Sequence, residues 1–374
     1  MAIDYQSLAV EGVQALSPYQ PGKPISELAR ELGLDPAEII KLASNENPLG
    51  PSKKAISAAE NALKELCLYP DGNGFELKQK LSAYLGVNPG QITLGNGSND
   101  VLEVIARCFA GADSEIVFSQ YAFAVYPIVT QAIGAKAVAV PAKDWGHDLD
   151  AMAAAVTERT RLVFVANPNN PTGTVHDSDA IEAFLGKIPA DVLVVLDEAY
   201  YEYMTGEKDP DGVALLSRFP NLIVCRTFSK AWGLAALRVG YSISSPAIAD
   251  ILNRVRQPFN VNSTALAAAA AVLEDTDYLQ RSRAANTAGL KQLQEAFDQM
   301  GLRYIPSSGN FVAVEVGPQA MGVYQALLSH GVIVRPVTGY GMPNHLRVSV
   351  GLPEQNELFI NALAKALAAA GQGA

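Results

Sequence analysis

Asn221-Leu-Ile-Val-Cys-Arg-Thr-Phe-Ser-Lys-Ala-Trp-Gly-Leu234 is a short apolar run followed at once by two hydroxyls and an amine. The run is too short for a buried helix and too continuous for a half-exposed strand. It predicts a strand covered on both faces, of the kind that builds parallel sheets. The same pattern stands upstream. Val192-Leu-Val-Val-Leu196 ends in Asp197, and Arg161–Ala166 ends in Asn167-Pro-Asn-Asn-Pro-Thr-Gly173. In open α/β sheets, ligands gather beyond the carboxyl ends of the strands. Asn167, Asp197 and Lys230 each lie at or just past such an end.

Working outward, helical and strand signals alternate from about residue 52 to 275. Helices are expected at 52–66, 74–85 and 98–110. Strands are expected at Gln91–Leu94, Glu115–Ser119, Ala137–Val140, Arg161–Ala166, Val192–Asp197, Leu222–Thr227 and Arg238–Ser244. That is an α/β layer with a mainly parallel, seven-stranded sheet flanked by helices. Before it, Ser26–Leu32 reads as a short helix capped by Ser26, and Lys41-Leu-Ala as a short strand. After residue 280 a long helix (Tyr278–Met300) leads to strands at Asn310–Val316, Val332–Arg335 and Leu346–Val350. A closing helix runs from about Pro353 to Ala370, which describes a smaller α+β unit. The expected division is an N-terminal arm with part of the small domain (1–45), a large domain (46–275) and a small domain (276–374). The alanine-rich stretch Ala265–Ala271 reads as helix packing.

Composition bounds the function. Of 374 residues, 49% are hydrophobic and 18% charged, as in an ordinary globular enzyme. The formal charge is 28 − 38 = −10, with no Lys/Arg-rich block, which argues against nucleic-acid binding. Cys67, Cys108 and Cys225 are far apart, and four histidines lack metal-ligand spacing. No signal peptide and no run of ~20 apolar residues is evident, so a cytoplasmic location without a membrane span is expected.

An amine, hydroxyls and Arg238 in one stretch suit a bound phosphate and a reactive carbonyl. A carboxylate at a strand's end suits a cationic ring nitrogen. Together they describe a site for pyridoxal 5′-phosphate (PLP), with Lys230 for the Schiff base and Asp197 for the pyridine nitrogen. Burial and nearby positive charge would keep the Lys230 amine partly deprotonated. The plainer reading of Asp197 is a helix cap. Tyr200 and Asn170 could both donate to the cofactor's phenolate oxygen. Thr227, Ser229 and Arg238 are candidates for the phosphate. Gly95-Asn-Gly-Ser-Asn-Asp100 adds Gly97, Ser98 and Asn99, where a glycine and a helix N-terminus would approach the phosphate. That loop is not a complete dinucleotide fingerprint. Phe123 would stack on the flat ring, the alternative being core packing. Arg335 and Arg347 lie inside strand patterns, where an arginine is costly unless paired or gripping an anion.

The set Asn-Pro-x-Asn-Pro-Thr-Gly, Asp-Glu-Ala-Tyr and Ser-Lys with Arg eight residues later resembles the fold-type I PLP-dependent aminotransferases. Ser17-Pro-Tyr-Gln-Pro-Gly-Lys, Asn45-Glu-Asn-Pro, Tyr69-Pro-Asp-Gly-Asn-Gly and Gly309-Asn-Phe resemble the histidinol-phosphate branch. The resemblance covers nearly the whole chain. It implies a homodimer in which Tyr69 reaches the partner's cofactor phosphate. It also implies that Tyr19 and Asn47 lie on the substrate side, with Arg347 on a carboxylate and Arg335 linked to a substrate phosphate. Phe123 departs from the tyrosine often found there. The implied reaction is amino transfer between L-histidinol phosphate and 2-oxoglutarate, within histidine biosynthesis. Gly331–Pro343 resembles a sub-branch that also takes aromatic amino acids, so an aromatic aminotransferase is the alternative. A decarboxylase of an O-phospho amino acid on the same fold is a further one.

Overall fold

The computed structural model describes residues 3–371. A short strand β1 (Ile40–Lys41) precedes seven strands: β2 (Ile92–Gly95), β3 (Glu115–Ser119), β4 (Lys136–Val140), β5 (Thr160–Ala166), β6 (Leu193–Asp197), β7 (Leu222–Thr227) and β8 (Gly240–Ile243). They form one sheet in the order β2-β8-β7-β6-β5-β3-β4. All pairs are parallel except those of β8, which runs against both β2 and β7. The expected mainly parallel, seven-stranded sheet is present.

Both faces of the sheet are covered, which is why its strands read as unbroken apolar runs. Side chains alternate between two cores. Val163, Val165, Val194, Leu196 and Val224 enter one, while Leu162, Phe164, Val195, Ile223 and Cys225 enter the other. Asp197 continues the second face and Glu198 the first. There Glu198 meets the buried Arg226 at 2.7 Å. Neighbouring acids thus separate, one to the site and one to an internal ion pair beneath it.

The remaining strands are β9 (Tyr304–Ile305), β10 (Phe311–Glu315), β11 (Val332–Ile333), β12 (Arg335–Pro336) and β13 (His345–Ser349). Four of them form an antiparallel sheet, β12-β13-β10-β9, while β11 pairs in parallel with β1. The single strand expected at Val332–Arg335 is therefore two short strands serving different sheets, and β9 is additional. The parallel β1–β11 pair ties the N-terminal segment to the C-terminal layer, with Leu28, Ala29, Ile39 and Ala43 packed on Leu328 and Ile333.

Helix ends follow local chemistry. Ser52 caps helix Lys53–Ala62 by accepting from the N–H groups of Lys54 and Ala55. The expected cap at Ser26 is not one. The helix runs Ile25–Leu32 behind Pro24, so Ser26 is already in its first turn. Starting at Ile25 keeps Leu28 and Ala29 on the buried face. Helix Ser263–Val272 buries Ala265, Ala268, Ala269 and Ala270, as the alanine run suggested.

Candidate active site

Three strand ends and the N-terminal segment converge on a cavity of about 280 Å³. β5 delivers Ala166, Pro168 and Asn170. β6 delivers Asp197, Ala199 and Tyr200. β7 delivers Thr227, Ser229 and Lys230. Tyr19, Pro21 and Ala43–Asn45 come from the other side, with Arg335 and Arg347 from the small sheet.

Lys230 is partly buried, and its Nζ donates to the Ser44 carbonyl at 3.2 Å. Burial lowers its pKa to about 7, helped by the positive charges of Arg347 and Arg238. Much of the amine is then unprotonated near neutral pH, ready to act as nucleophile or base. Asp197 is buried, and burial raises its pKa to about 6. Two donors oppose that shift: the Tyr126 hydroxyl on Oδ2 at 2.8 Å and the Ala199 N–H on Oδ1 at 3.2 Å.

Tyr200 is held by Asn45, whose Nδ2 donates to the phenol oxygen at 2.9 Å. The hydroxyl proton therefore remains available as a donor. Burial pushes its pKa to about 12, so it stays protonated. Asn170 uses Oδ1 to accept from Arg347 Nη1 at 2.5 Å, leaving its NH₂ group for the cavity. Arg347 also donates from Nη2 to the Ala43 carbonyl at 2.8 Å. Its Nε is a buried donor without a protein partner. Arg335 bonds the Gln20 carbonyl and lies 5.4 Å from the Tyr19 ring centroid.

A second group of residues gathers around Gly97 and Arg238. Gly97 has φ +86°, and helix Ser98–Phe109 starts directly after it. A Cβ on Gly97 would meet the tip of the Arg238 side chain, Nη2, and force it to shift. Arg238 Nη1 donates to Ser229 Oγ at 3.2 Å, and Thr227 Oγ1 donates to Ser229 Oγ at 3.0 Å. Ser98, Asn99, Thr227, Ser229 and Arg238 line the cavity together. Phe123 also lines it, edge-on to Tyr126.

One expected residue is placed elsewhere. Asn47 does not line the cavity. Its Nδ2 donates to the Ala231 carbonyl, Tyr278 Oη and Ser282 Oγ at 2.9, 3.1 and 2.8 Å, which brace the backbone beside Lys230. The asparagine that faces the cavity is Asn45. Its φ of +54° turns its side chain inward, and Ser349 bonds both its N–H and its Oδ1. Tyr69 is 83% exposed and stacked on Phe259 at 4.8 Å, outside the cavity of its own chain. Tyr126, Asn45 and Ser44 were not expected in the site.

The Aminotransferase class I and II family model matches residues 37–363. The chain belongs to the class I and II aminotransferase family. This aminotransferase is 63% identical to "Histidinol-phosphate aminotransferase 2" of Pseudomonas aeruginosa, over 98% of this chain and 99% of that one. It is 62% identical to the protein of the same name from Pseudomonas fluorescens Pf-5, over 99% and 100%. Among solved structures it resembles histidinol-phosphate aminotransferase from Sinorhizobium meliloti in complex with pyridoxal-5'-phosphate. There the TM-score is 0.88 at 31% identity, covering 96% and 97% of the two chains. Among the described residues, no helix is long and apolar enough to cross a membrane, and no cluster of metal-ligating side chains occurs.

Proposed function

We propose that this aminotransferase uses PLP to exchange the amino group of L-histidinol phosphate with 2-oxoglutarate, giving imidazole acetol phosphate and L-glutamate. The observation that carries the reading is that one cavity holds both sets of groups. Thr227, Ser229, Arg238, Asp197 and Lys230 line it together with Arg335 and Arg347. The residues fit PLP on two counts: the space held open at Gly97 beside Arg238, and the buried Asp197 carboxylate. The near-full-length likeness to proteins named histidinol-phosphate aminotransferase supports the substrate assignment.

When bound, PLP supplies an aldehyde that condenses with amines and a ring that withdraws electrons from the substrate's α-carbon. Gly97, Ser98, Asn99, Thr227, Ser229 and Arg238 would hold its phosphate. Asp197, as an anion, would pair with its ring nitrogen, and Phe123 would pack on its ring. Asn170 and Tyr200 would donate to the phenolate oxygen. Lys230 Nζ would take the proton from the substrate carbon as general base and give it back as general acid. Its lowered pKa lets one group do both.

Arg347 grips the glutamate carboxylate, bidentate recognition being the use for which a guanidinium is suited. Arg335 takes the substrate phosphate, with Tyr19 beside the imidazole. The enzyme works as a cytoplasmic homodimer in which the exposed Tyr69 completes the partner's phosphate site. The expected large and small domains both contribute residues to the cavity.

Single-turnover spectra test the substrate. Rapid loss of the visible band of the PLP-loaded protein with histidinol phosphate, with imidazole acetol phosphate as product, is expected. An equal or faster response to phenylalanine would overturn the assignment in favour of an aromatic aminotransferase.

A further inference from the structure

Tyr126 sits in helix Val125–Ala132, wholly buried, with its hydroxyl on Asp197 Oδ2 at 2.8 Å. Its ring lies on Phe164 at 4.6 Å and 8°, and edge-on to Phe123 at 5.9 Å and 90°. We propose that Tyr126 is a positioning residue for amino transfer: it fixes the charge and orientation of Asp197 and, through its ring, the tilt of Phe123. The inference rests on the PLP reading of this site.

A buried carboxylate in apolar surroundings favours its neutral form. A neutral Asp197 offers no charge to a ring nitrogen. The Tyr126 hydroxyl and the Ala199 N–H are the donors that keep it anionic, one on each oxygen. Burial and the nearby carboxylate push the titration of Tyr126 well above the ordinary tyrosine range, so it acts only as a donor here. The hydroxyl is held by its bond to Asp197, while the ring packs flat on Phe164. A phenylalanine would pack as well against both neighbouring rings, so the hydroxyl answers to Asp197 and not to the core.

The other groups facing Asp197 fill different roles. Cys225 is its register partner on β7, Tyr200 follows β6, and Lys230 lies beyond β7. β5 presents Ala166 and adds no charge.

The test uses the full-length protein loaded with PLP labelled with ¹⁵N at the ring nitrogen. In the parent protein the ¹⁵N signal is expected at its protonated position. In Tyr126→Phe, Asp197 becomes the stronger base and draws the shared proton, so the signal moves toward the neutral position. The PLP dissociation constant rises about tenfold, as for the loss of a hydrogen bond to a charged group. Phe164→Leu keeps the hydroxyl and is expected to keep the protonated signal. An unmoved signal and unchanged dissociation constant in Tyr126→Phe would overturn the proposal. So would an equal displacement in Phe164→Leu, which would trace the effect to packing. A parent protein whose labelled nitrogen is neutral, or which binds no PLP, would overturn the reading of the site itself.

Discussion

Arg335 and Arg347 stand directly opposite each other across the antiparallel β12–β13 ladder. Both side chains line the same cavity. Like charges placed opposite in a sheet destabilise it by roughly 0.2–1 kcal/mol. An anion between them reverses the sign of that interaction. Arg335→Gln is therefore expected to raise KM for the phosphorylated substrate about tenfold or more, with a smaller rise for glutamate. Steady-state kinetics with both substrates checks this, and equal rises would count against the role given to Arg335.

Lys230 sets a pH dependence for cofactor capture. Only the free amine attacks an aldehyde. With its pKa at about 7, the rate at which the cofactor-free protein takes up PLP should climb through pH 7 and level off above it. An ordinary lysine would keep climbing towards pH 10. Arg347→Gln removes a positive neighbour and should move the midpoint upward. Stopped-flow absorbance across a pH series measures both.

Gly97→Ala tests the phosphate cradle. The new methyl group would meet Arg238 Nη2, and a residue other than glycine at φ +86° and ψ 165° costs roughly 1–3 kcal/mol. PLP affinity should fall about tenfold or more as Arg238 retreats, with a melting temperature lowered by a few degrees. Equilibrium dialysis and calorimetry separate the two effects.

Trp145 offers an optical report on the small sheet. It holds φ +66° beside Asp144 at φ +48°, in the tight turn closed by Lys143 and Gly146. The turn presents its ring to Tyr121 at 5.2 Å and to His345 at 4.9 Å, two residues before Arg347. The other tryptophan, Trp232, is 1% exposed, whereas Trp145 is 37% exposed. Saturating glutamate should change the emission of the parent protein and leave Trp145→Phe nearly silent. An unchanged response in that variant would place the signal at Trp232.

Much of this site was readable because strand ends carry it. β5, β6 and β7 are buried on both faces, so their apolar runs mark the ends where Asn170, Asp197 and Lys230 follow. The direction of β8 was not readable, since a run of buried residues looks the same in either sense. The choice between Asn45 and Asn47 depended on one positive φ that asparagine tolerates. Tyr126 owes its contact to the phase of a helix against β6, a distance between elements that local sequence does not encode. The break between β11 and β12 likewise follows from which sheet each half joins.

The β1–β11 ladder joins residues near the start of the chain to residues near its end. The cavity draws on Tyr19 at one extreme and Arg347 at the other. During synthesis the large sheet can close while β11 and β13 are still inside the ribosome. Until they emerge, β1 has no partner and Asn45 lacks the Ser349 hydroxyl that holds it. Binding competence is therefore a property of the finished polypeptide. A ribosome that stops before residue 345 releases a chain without Arg347 or Ser349, unable to grip a carboxylate.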